Sequence, residues 1–291
     1  MFYLLLVILL NTYVFTTFKL FAQYGVNSLQ AISVNYWVCV ATGLVTHGIT
    51  CDLATMTGDS WFGHALVAGT YFIFLFNLLS YSTGTLGITA TTIPNKLSLV
   101  IPVLFSYWLY NDTLDAWKIS GIILSIPAVY LATTKKEERQ SFQLKHLALP
   151  VMIFIFSGLL DTYLKYVQSF HLHIADTQPA FTIISFAVAA ILGSAYAIIR
   201  IAWGKDKFAV KNILAGILLG IPNYFSIYYL IRLFDSNFMQ SSAIIPVNNI
   251  GIVISTTLVA ILLFREQAGK HRIAGVILSV ISIILIALSG Y

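Results

Sequence analysis

Charged residues are scarce in this sequence. Of its 291 residues, 58% are hydrophobic and only 9% are Asp, Glu, Lys or Arg. Soluble globular domains carry about 25% charged residues, because their surfaces must face water. The composition therefore excludes a water-soluble domain and indicates that most of the chain is surrounded by lipid.

Cysteine and the common catalytic motifs are also scarce or absent. Metal and redox sites need several Cys or His residues at short fixed spacings, whereas this chain has Cys39, Cys51 and six scattered histidines. It contains no P-loop, HExxH or GxSxG motif, and no GxGxxG motif follows a strand. An intramembrane enzyme would need a nucleophile with a base or a set of metal ligands. We therefore expect no cofactor, no bound metal and no enzymatic activity.

Basic residues are in modest excess, with a formal net charge of +5. They are spread through short loops, which is typical of cytoplasmic loops in membrane proteins, so nucleic acid is not an expected partner. The apolar start, residues 1–10, resembles the core of a signal peptide. It lacks a basic beginning, however, and the apolar run continues past Asn11 without a cleavage site. We interpret it as part of the first membrane span.

Apolar runs of about 20 residues, the length that crosses a bilayer as an α-helix, recur ten times along the chain. The predicted helices are Phe2–Ala22, Ala31–Ile49, Trp61–Tyr81, Leu86–Tyr110, Trp117–Thr134, Leu147–Tyr166, Ile174–Ile201, Asn212–Leu233, Phe238–Phe264 and Arg272–Leu288. Tryptophans near the helix ends are expected to anchor at the headgroup level. These are Trp61, Trp108, Trp117 and Trp203. The predicted fold class is an all-α polytopic membrane protein.

The most polar stretch, residues 135–146, separates two halves of five helices each, residues 1–134 and 147–291. The halves match weakly at a displacement of about 150 residues, and the best match pairs the fourth and fifth helices with the ninth and tenth. The residue pairs that carry it are Pro94 with Pro246, Asp112 with Glu266, and Gly121 with Gly275. Because five is odd, sequential halves insert with opposite topology, which is the inverted repeat of alternating-access transporters. The prolines predict a break early in each of the two helices.

Positive charge predicts the orientation of the chain. Basic residues in or near loops that follow odd-numbered helices are Lys19, Lys135, Lys136, Arg139, Lys145, Arg200, Lys205, Lys207, Lys211, Arg265, Lys270 and Arg272. Loops that follow even-numbered helices hold only Lys118, Lys165 and Arg232. By the positive-inside rule, both termini lie outside.

Two inverted five-helix halves, each closing with an acidic turn and a last helix that opens on glycine, resemble the drug/metabolite transporter superfamily and its bacterial EamA-type ten-helix proteins. The second half carries the resemblance in Phe264, Arg265, Glu266 and Gly275, and the first half has the weaker counterpart Tyr110, Asn111, Asp112 and Gly121. In architecture the resemblance covers essentially the whole chain. It implies an integral protein of the plasma membrane, the inner membrane in a bacterium, with both termini inside, in contrast to the charge count.

The resemblance also implies a function. It indicates a secondary active transporter, with export the expected direction, of a small metabolite such as an amino acid or an amphipathic organic solute. The expected partners are the solute, the lipid bilayer, and a proton or ion as coupling species, in a monomer or homodimer. An organophosphate or nucleotide-sugar exchanger of the same fold stays open, as does a channel, although Lys96 stands nearly alone as a deep cation.

Lys96 and its neighbour Asn95 are the first candidate site residues. A charge near the bilayer centre persists only with a partner or a water-filled cavity. Lys96 is thus either a cavity cation that binds a carboxylate or titrates during coupling, or one half of a structural ion pair. Asp161 is the one acid well inside a predicted span. It is either a coupling site or the partner of Lys165 one helical turn later.

Asn248 and Asn249 follow Pro246 as Asn95 and Lys96 follow Pro94. Paired helix breaks at corresponding positions are the best sequence indication of a midplane binding site, and interhelical hydrogen bonding is the alternative. The resemblance adds three further candidates in the third and eighth helices: Asn77, Asn223 and Tyr224. Two charged residues near helix ends receive other interpretations: Lys19 is expected to reach the headgroups, and Glu266 to mark topology.

Overall fold

A computed structural model of the chain describes residues 2–47, 57–110, 115–133, 144–172, 177–235, 241–266 and 269–288. Regular secondary structure in these ranges is helical throughout, as the sequence predicts. The helices are α1 (Phe2–Gln23), α2 (Ser28–His47), α3 (Ser60–Thr85), α4 (Ile88–Leu97), α5 (Val100–Tyr110), α6 (Ala116–Thr133), α7 (Leu144–His171), α8 (Thr177–Ala202), α9 (Val210–Asp235), α10 (Ser241–Leu262) and α11 (Lys270–Leu288).

Each predicted span corresponds to a helix in the structure, except that the fourth span consists of two helices, α4 and α5. The fifth to tenth spans are therefore α6 to α11. Within the described ranges, nine segments are long and apolar enough to cross a membrane, and the shorter helix Ala116–Ala132 is apolar as well. Hydrocarbon offers no water to backbone N–H and C=O groups, so each span satisfies them within its own helix. The protein is a polytopic, helical integral membrane protein.

Some predicted features lie outside the described residues. These are Cys51, Asn111, Asp112, residues 135–143, and the side chains of Trp108 and Tyr110.

The chain forms two compact units, and each unit takes segments from both sequence halves. Unit 1 comprises Met1–Lys19, Ser82–Leu159 and Ser226–Tyr291, and unit 2 comprises Leu20–Tyr81 and Leu160–Phe225. The boundaries fall inside the first and sixth spans, and again inside the third and eighth. Corresponding spans of the two halves are therefore divided in the same way.

Each unit has its own apolar core. In unit 1, Ile93 and Leu97 of the fourth span pack with Val253 of the ninth and Ile283 of the tenth. In unit 2 the core contains Trp61, Ala65, Val167 and Phe181.

Trp61 packs inside unit 2 instead of lying on its surface. Its ring is only 3% exposed, and its Nε1–H donates to Asp59 Oδ2 at 3.0 Å. The indole is buried because a neighbouring carboxylate satisfies its one donor, which removes the need for contact with water. Trp117 and Trp203, by contrast, are 54% and 69% exposed.

Glycines bring the fifth and tenth spans into backbone contact in unit 1. A Cβ atom at Gly121 would lie 2.7 Å from Ile286 Cγ1, and one at Gly275 would lie 2.5 Å from Ala132 N. The Ser282 hydroxyl donates to the Gly121 carbonyl at 2.7 Å. The start of each helix meets the end of the other, so the two spans run antiparallel. Gly121 and Gly275 are 154 residues apart, and so are Ala132 and Ile286. The two contacts therefore occupy matching positions in the two halves.

The second and seventh spans pack in the same reciprocal manner in unit 2. A Cβ atom at Gly43 would lie 2.8 Å from Ile183 Cγ1, and one at Gly193 would lie 2.5 Å from Ser33 Oγ. Gly43 and Gly193 are 150 residues apart, and so are Ser33 and Ile183, so these two contacts also occupy matching positions. These spans, too, are antiparallel, because the start of each meets the later part of its partner.

A third reciprocal pair of contacts also lies in unit 2. One contact joins the third span to the seventh, and the other joins the eighth span to the second. A Cβ atom at Gly69 would lie 2.7 Å from Val188 Cβ, and one at Gly220 would lie 2.6 Å from Val38 Cβ. Gly69 and Gly220 are 151 residues apart, and Val38 and Val188 are 150 apart. Small residues at such crossings allow helix backbones to approach closely in a membrane.

Candidate functional site

The interruption of the fourth span lies directly after Lys96 and Leu97. Helix α4 ends at Leu97 and α5 begins at Val100. The Ser98 N–H donates to the Pro94 carbonyl at 3.0 Å, and the Ser98 hydroxyl donates to the Asn95 carbonyl at 2.5 Å. The turn is therefore partly satisfied by its own residues, as irregular backbone at membrane depth requires.

Neighbouring spans of unit 1 contact this interruption. The Asn249 side-chain amide of the ninth span donates to the Lys96 carbonyl over 3.4 Å, a long hydrogen bond. The Asn95 amide donates to the Ser157 hydroxyl of the sixth span at 2.9 Å. Lys96 and Asn95 are half-buried, whereas Asn249 is only 8% exposed. The structure thus brings together the two motifs that the sequence pairs.

Asn248 adds an unsatisfied acceptor on the ninth span. Its side chain is 6% exposed, and its Oδ1 atom has no hydrogen-bond partner within the part of the chain that the structure describes. A buried polar atom left without a partner costs about 1–3 kcal/mol, so such atoms commonly meet water or a ligand. Asn248 can therefore accept a hydrogen bond from a donor on a bound molecule.

The predicted position of the helix breaks is wrong. Helix α10 continues through Pro246, and α4 continues through Pro94 and ends after Leu97. Both prolines lie within two turns of the helix start, where a proline removes one donor but leaves most of the downstream hydrogen bonds intact. Among the described residues of the fourth and ninth spans, the interruption occurs in the fourth, at Ser98 and Leu99.

Glu266 forms an ionic cluster at one end of unit 1. Its carboxylate lies 3.3 Å from Lys19 Nζ and 3.5 Å from Arg272 Nη1, and it accepts the Ile88 N–H at 3.0 Å. It therefore caps the first turn of α4 and joins that helix to the first and tenth spans. Gly87, with φ of 102°, is required here, because a Cβ atom would lie 2.6 Å from the carboxylate.

This cluster corrects two predictions. The Lys19 side chain does not simply extend toward headgroups, because it pairs with a carboxylate that is only 10% exposed. Glu266 is more than a topology marker, since it satisfies a helix N-terminus. Nothing in the sequence indicates this pairing, because Lys19 and Glu266 come from opposite ends of the chain. A cavity of ≈ 10 Å³ beside them, with Thr89 and Thr257 among its lining residues, is the size of about one water molecule.

Asn223 and Tyr224 of the eighth span lie in unit 2, where they contact the second span. The Asn223 amide donates to Asn35 Oδ1 at 3.2 Å, and the Tyr224 hydroxyl shares a hydrogen bond of 2.5 Å with Thr46. Both residues are at least 96% buried. These bonds match the interhelical alternative that applies to polar residues in bundles.

The three remaining candidates also belong to unit 2, whereas Lys96 belongs to unit 1. Asn77 donates its amide to the Ile73 carbonyl of its own helix at 2.8 Å. Asp161 and Lys165 lie one turn apart on the sixth span, and both are exposed. The structure therefore groups the candidates into a unit 1 set around the interruption and a unit 2 set on other spans.

Metal-binding groups are not apparent in the described ranges: no three His, Cys, Asp or Glu residues there lie close enough together to hold a metal ion. Cys39 is buried on the second span, and its thiol donates to the Gly220 carbonyl at 3.4 Å.

Comparison with known proteins gives a distant relative whose function is not assigned. No protein-family model matches the chain. Over 210 residues it is 25% identical to an uncharacterized protein of Haemophilus influenzae, an alignment that covers 72% of this chain and 69% of that protein. The relative brings no activity to the present chain.

Proposed function

We propose that this protein is a secondary active transporter of the drug/metabolite transporter type, similar to EamA proteins, and that its halves are inverted repeats that alternate access to a solute near the midplane. The solute is a small metabolite such as an amino acid or an amphipathic organic molecule, and export is the expected direction. Asn95, Lys96, Asn248 and Asn249 form the part of the binding site that unit 1 contributes.

The reciprocal glycine contacts are the observation that carries the proposal. Three independent contacts map onto their counterparts at displacements of 150 to 154 residues. Two of them join spans with their own counterparts, the fifth with the tenth and the second with the seventh, and both pairs are antiparallel. A two-fold axis in the membrane plane produces this arrangement, and a repeat with such an axis can exchange the conformations of its halves.

The interrupted fourth span supports the location of the site. Discontinuous helices in transporters commonly present backbone groups and helix ends to a substrate near the midplane. Here the interruption begins two residues after Lys96, and the ninth span supplies a buried amide with an unsatisfied acceptor, Asn248 Oδ1. A cation and an acceptor suit a solute with one carboxylate and one N–H donor, as in an amino acid.

The alternatives make different demands on the site. An organophosphate or nucleotide-sugar exchanger needs several cations around the solute, and Lys96 is the one Lys or Arg between residues 20 and 117. A channel needs a pore that conducts without a conformational cycle.

Asp161 with Lys165 is the candidate coupling pair in unit 2, with a proton or ion as the coupled species.

Solute counterflow in proteoliposomes tests the proposal. Candidate amino acids, amines, organic acids and nucleotide sugars are first ranked by the thermal stabilisation they give the purified protein, since a ligand raises the midpoint only when it prefers the folded state. The best ligand is then loaded inside liposomes, and uptake of labelled ligand is measured. Alternating access predicts saturable uptake that is accelerated by the internal ligand.

Two variants connect the result to the site. Lys96→Ala and Asn249→Ala are expected to abolish both the thermal stabilisation and the counterflow, while Lys270→Ala, at an exposed position, keeps both. Flux that does not saturate and is not accelerated from the opposite side would indicate a channel. Stabilisation by nucleotide sugars alone would favour the exchanger.

A further inference from the structure

An open groove of ≈ 690 Å³ runs along one face of unit 2. The start of the second span, the third span and the end of the seventh span form its walls. Its apolar surface includes Phe74, Tyr81, Leu192 and Tyr196, all between 42% and 64% exposed. Such a surface on membrane-spanning helices needs an apolar occupant.

The polar end of this groove is defined by one ion pair. Arg200 Nε donates to Asp206 Oδ2 at 2.6 Å, and Arg200 Nη2 donates to Asp206 Oδ1 at 3.2 Å. The bidentate pair fixes the turn that follows the seventh span against the groove. Asn27 and Ser28, at the start of the second span, line the same end.

The turn that carries Asp206 is basic and aromatic. Lys205 lies 4.9 Å from the centre of the Trp203 ring, and the side chains of Trp203 and Phe208 are 69% and 62% exposed. Lys207 is exposed as well. Exposed aromatic residues next to lysines are typical of the headgroup level of a bilayer. The polar end of the groove therefore lies at the membrane surface, with positive charge beside it.

From that level the groove extends into the hydrocarbon. On the third span its lining runs from Tyr81 to Thr70, which at 1.5 Å per residue is about 16 Å. Half of the hydrocarbon core of a bilayer is about 15 Å. The groove thus has the depth of a single leaflet.

The polar side chains inside the groove are directed to their own helix. The Asn77 amide donates to the Ile73 carbonyl at 2.8 Å, and the Thr70 hydroxyl donates to the Leu66 carbonyl at 2.9 Å. This local bonding lowers the cost of contact with hydrocarbon. It suits an alkyl chain better than a polar solute, which would need these groups for recognition.

We propose that this groove binds an anionic phospholipid, with the phosphate beside the lysines at positions 205 and 207 and one acyl chain along Tyr196, Leu192 and Phe74. The inference does not depend on transport, because it concerns the lipid surface of unit 2. Basic pockets beside membrane spans attract anionic headgroups, and the apolar groove adds the burial of the chain.

Native mass spectrometry of the delipidated protein with defined lipids tests the proposal. The probes are palmitoyl-oleoyl phosphatidylglycerol and its phosphatidylcholine counterpart. Wild type is expected to bind phosphatidylglycerol more tightly. The double variant Lys205→Gln/Lys207→Gln should weaken that binding about 25-fold, at about fivefold for each lysine near the surface. Arg265→Gln/Lys270→Gln removes the same charge from two exposed positions of unit 1, and it should bind like wild type.

A second pair of variants tests the acyl chain. Leu192→Trp fills the groove, whereas Ile198→Trp places the same ring on the same helix at a position that does not line it. The first should lose most phosphatidylglycerol binding and the second should keep it. Because the lysine variants change only exposed side chains, misfolding of a tryptophan variant leaves the headgroup test intact.

Four lipid-binding results would overturn the proposal. They are equal binding of the two lipids, wild-type binding by the lysine double variant, equal loss in both charge variants, and equal binding by the two tryptophan variants. The same spectra also report dimers. If Leu192→Trp weakens dimerisation and Ile198→Trp does not, a second copy of the chain occupies the groove instead.

Discussion

The reciprocal helix contacts predict that alanine at Gly121 and at Gly275 destabilises the protein by similar amounts. The added Cβ atoms would lie 2.8 Å from the Ser282 carbonyl oxygen and 2.5 Å from Ala132 N. Both obstacles are backbone atoms, which cannot rotate away as a side chain can. The two helices must therefore separate or bend.

Opposing effects set the magnitude. Alanine is favoured over glycine within a helix by about 1 kcal/mol. Overpacking costs about 1–3 kcal/mol. Separation of the helices at Gly121 also weakens the hydrogen bond from Ser282, worth about 0.6 kcal/mol in a membrane. The contacts with rigid backbone place the overpacking term in the upper part of its range, so we expect a net loss of about 1–2 kcal/mol, which lowers the unfolding midpoint by roughly 2–8 °C.

Thermal unfolding in a single detergent, followed by tryptophan fluorescence, measures the effect. Gly63→Ala is the matched control, because no atom lies within 4 Å of the Cβ position at this helical glycine. Its midpoint should stay the same or rise. Wild-type stability in Gly121→Ala and Gly275→Ala, or a loss in only one of them, would refute the reciprocal packing.

Three further perturbations follow from the charged and polar contacts. Glu266→Gln leaves two partly buried cations without their carboxylate and should cost about 3 kcal/mol or more; a midpoint equal to that of Lys270→Gln contradicts this. The hydrogen bonds from Arg200 lower the pKa of Asp206 below its usual 3.8, so the pair stabilises the fold above that pH and loses this contribution as the pH falls through the lowered value. Asp206→Asn should therefore lower the midpoint at pH 7 and converge with wild type in strong acid, and a pH-independent difference argues against the pair. Asn248→Leu should leave the ligand-free midpoint equal or higher, because it removes an unsatisfied buried acceptor, and should weaken stabilisation by solute; undiminished stabilisation would place the solute elsewhere.

Span positions could be predicted from the sequence because crossing a bilayer imposes a minimum apolar length on every helix. Each predicted span overlaps a helix, and most ends agree within a few residues. The spacing of about 150 residues between matching glycines could be read from the sequence as well, because Gly121 and Gly275 stand at matching positions in the two halves. The sequence could not show which spans these glycines join.

The position of the helix interruption required the tertiary structure. Proline was the only local signal, and it marked residues 94 and 246, whereas the chain interrupts its helix at Ser98 and Leu99. The Ser98 hydroxyl and the Asn249 amide stabilise this irregular turn by donating hydrogen bonds to carbonyls near it. Such compensation depends on neighbouring spans and leaves no periodic trace in the sequence.

Apolar length, charge distribution and spacing of small residues are local or periodic properties, so the sequence by itself determined the membrane class, the approximate positions of the spans and the matching positions of Gly121 and Gly275. Only the tertiary structure decided that Lys19 pairs with Glu266, that Trp61 is buried, and that the candidate residues divide between two compact units. These outcomes depend on the rotation and register of helices far apart in the chain, and hydropathy carries no information about either.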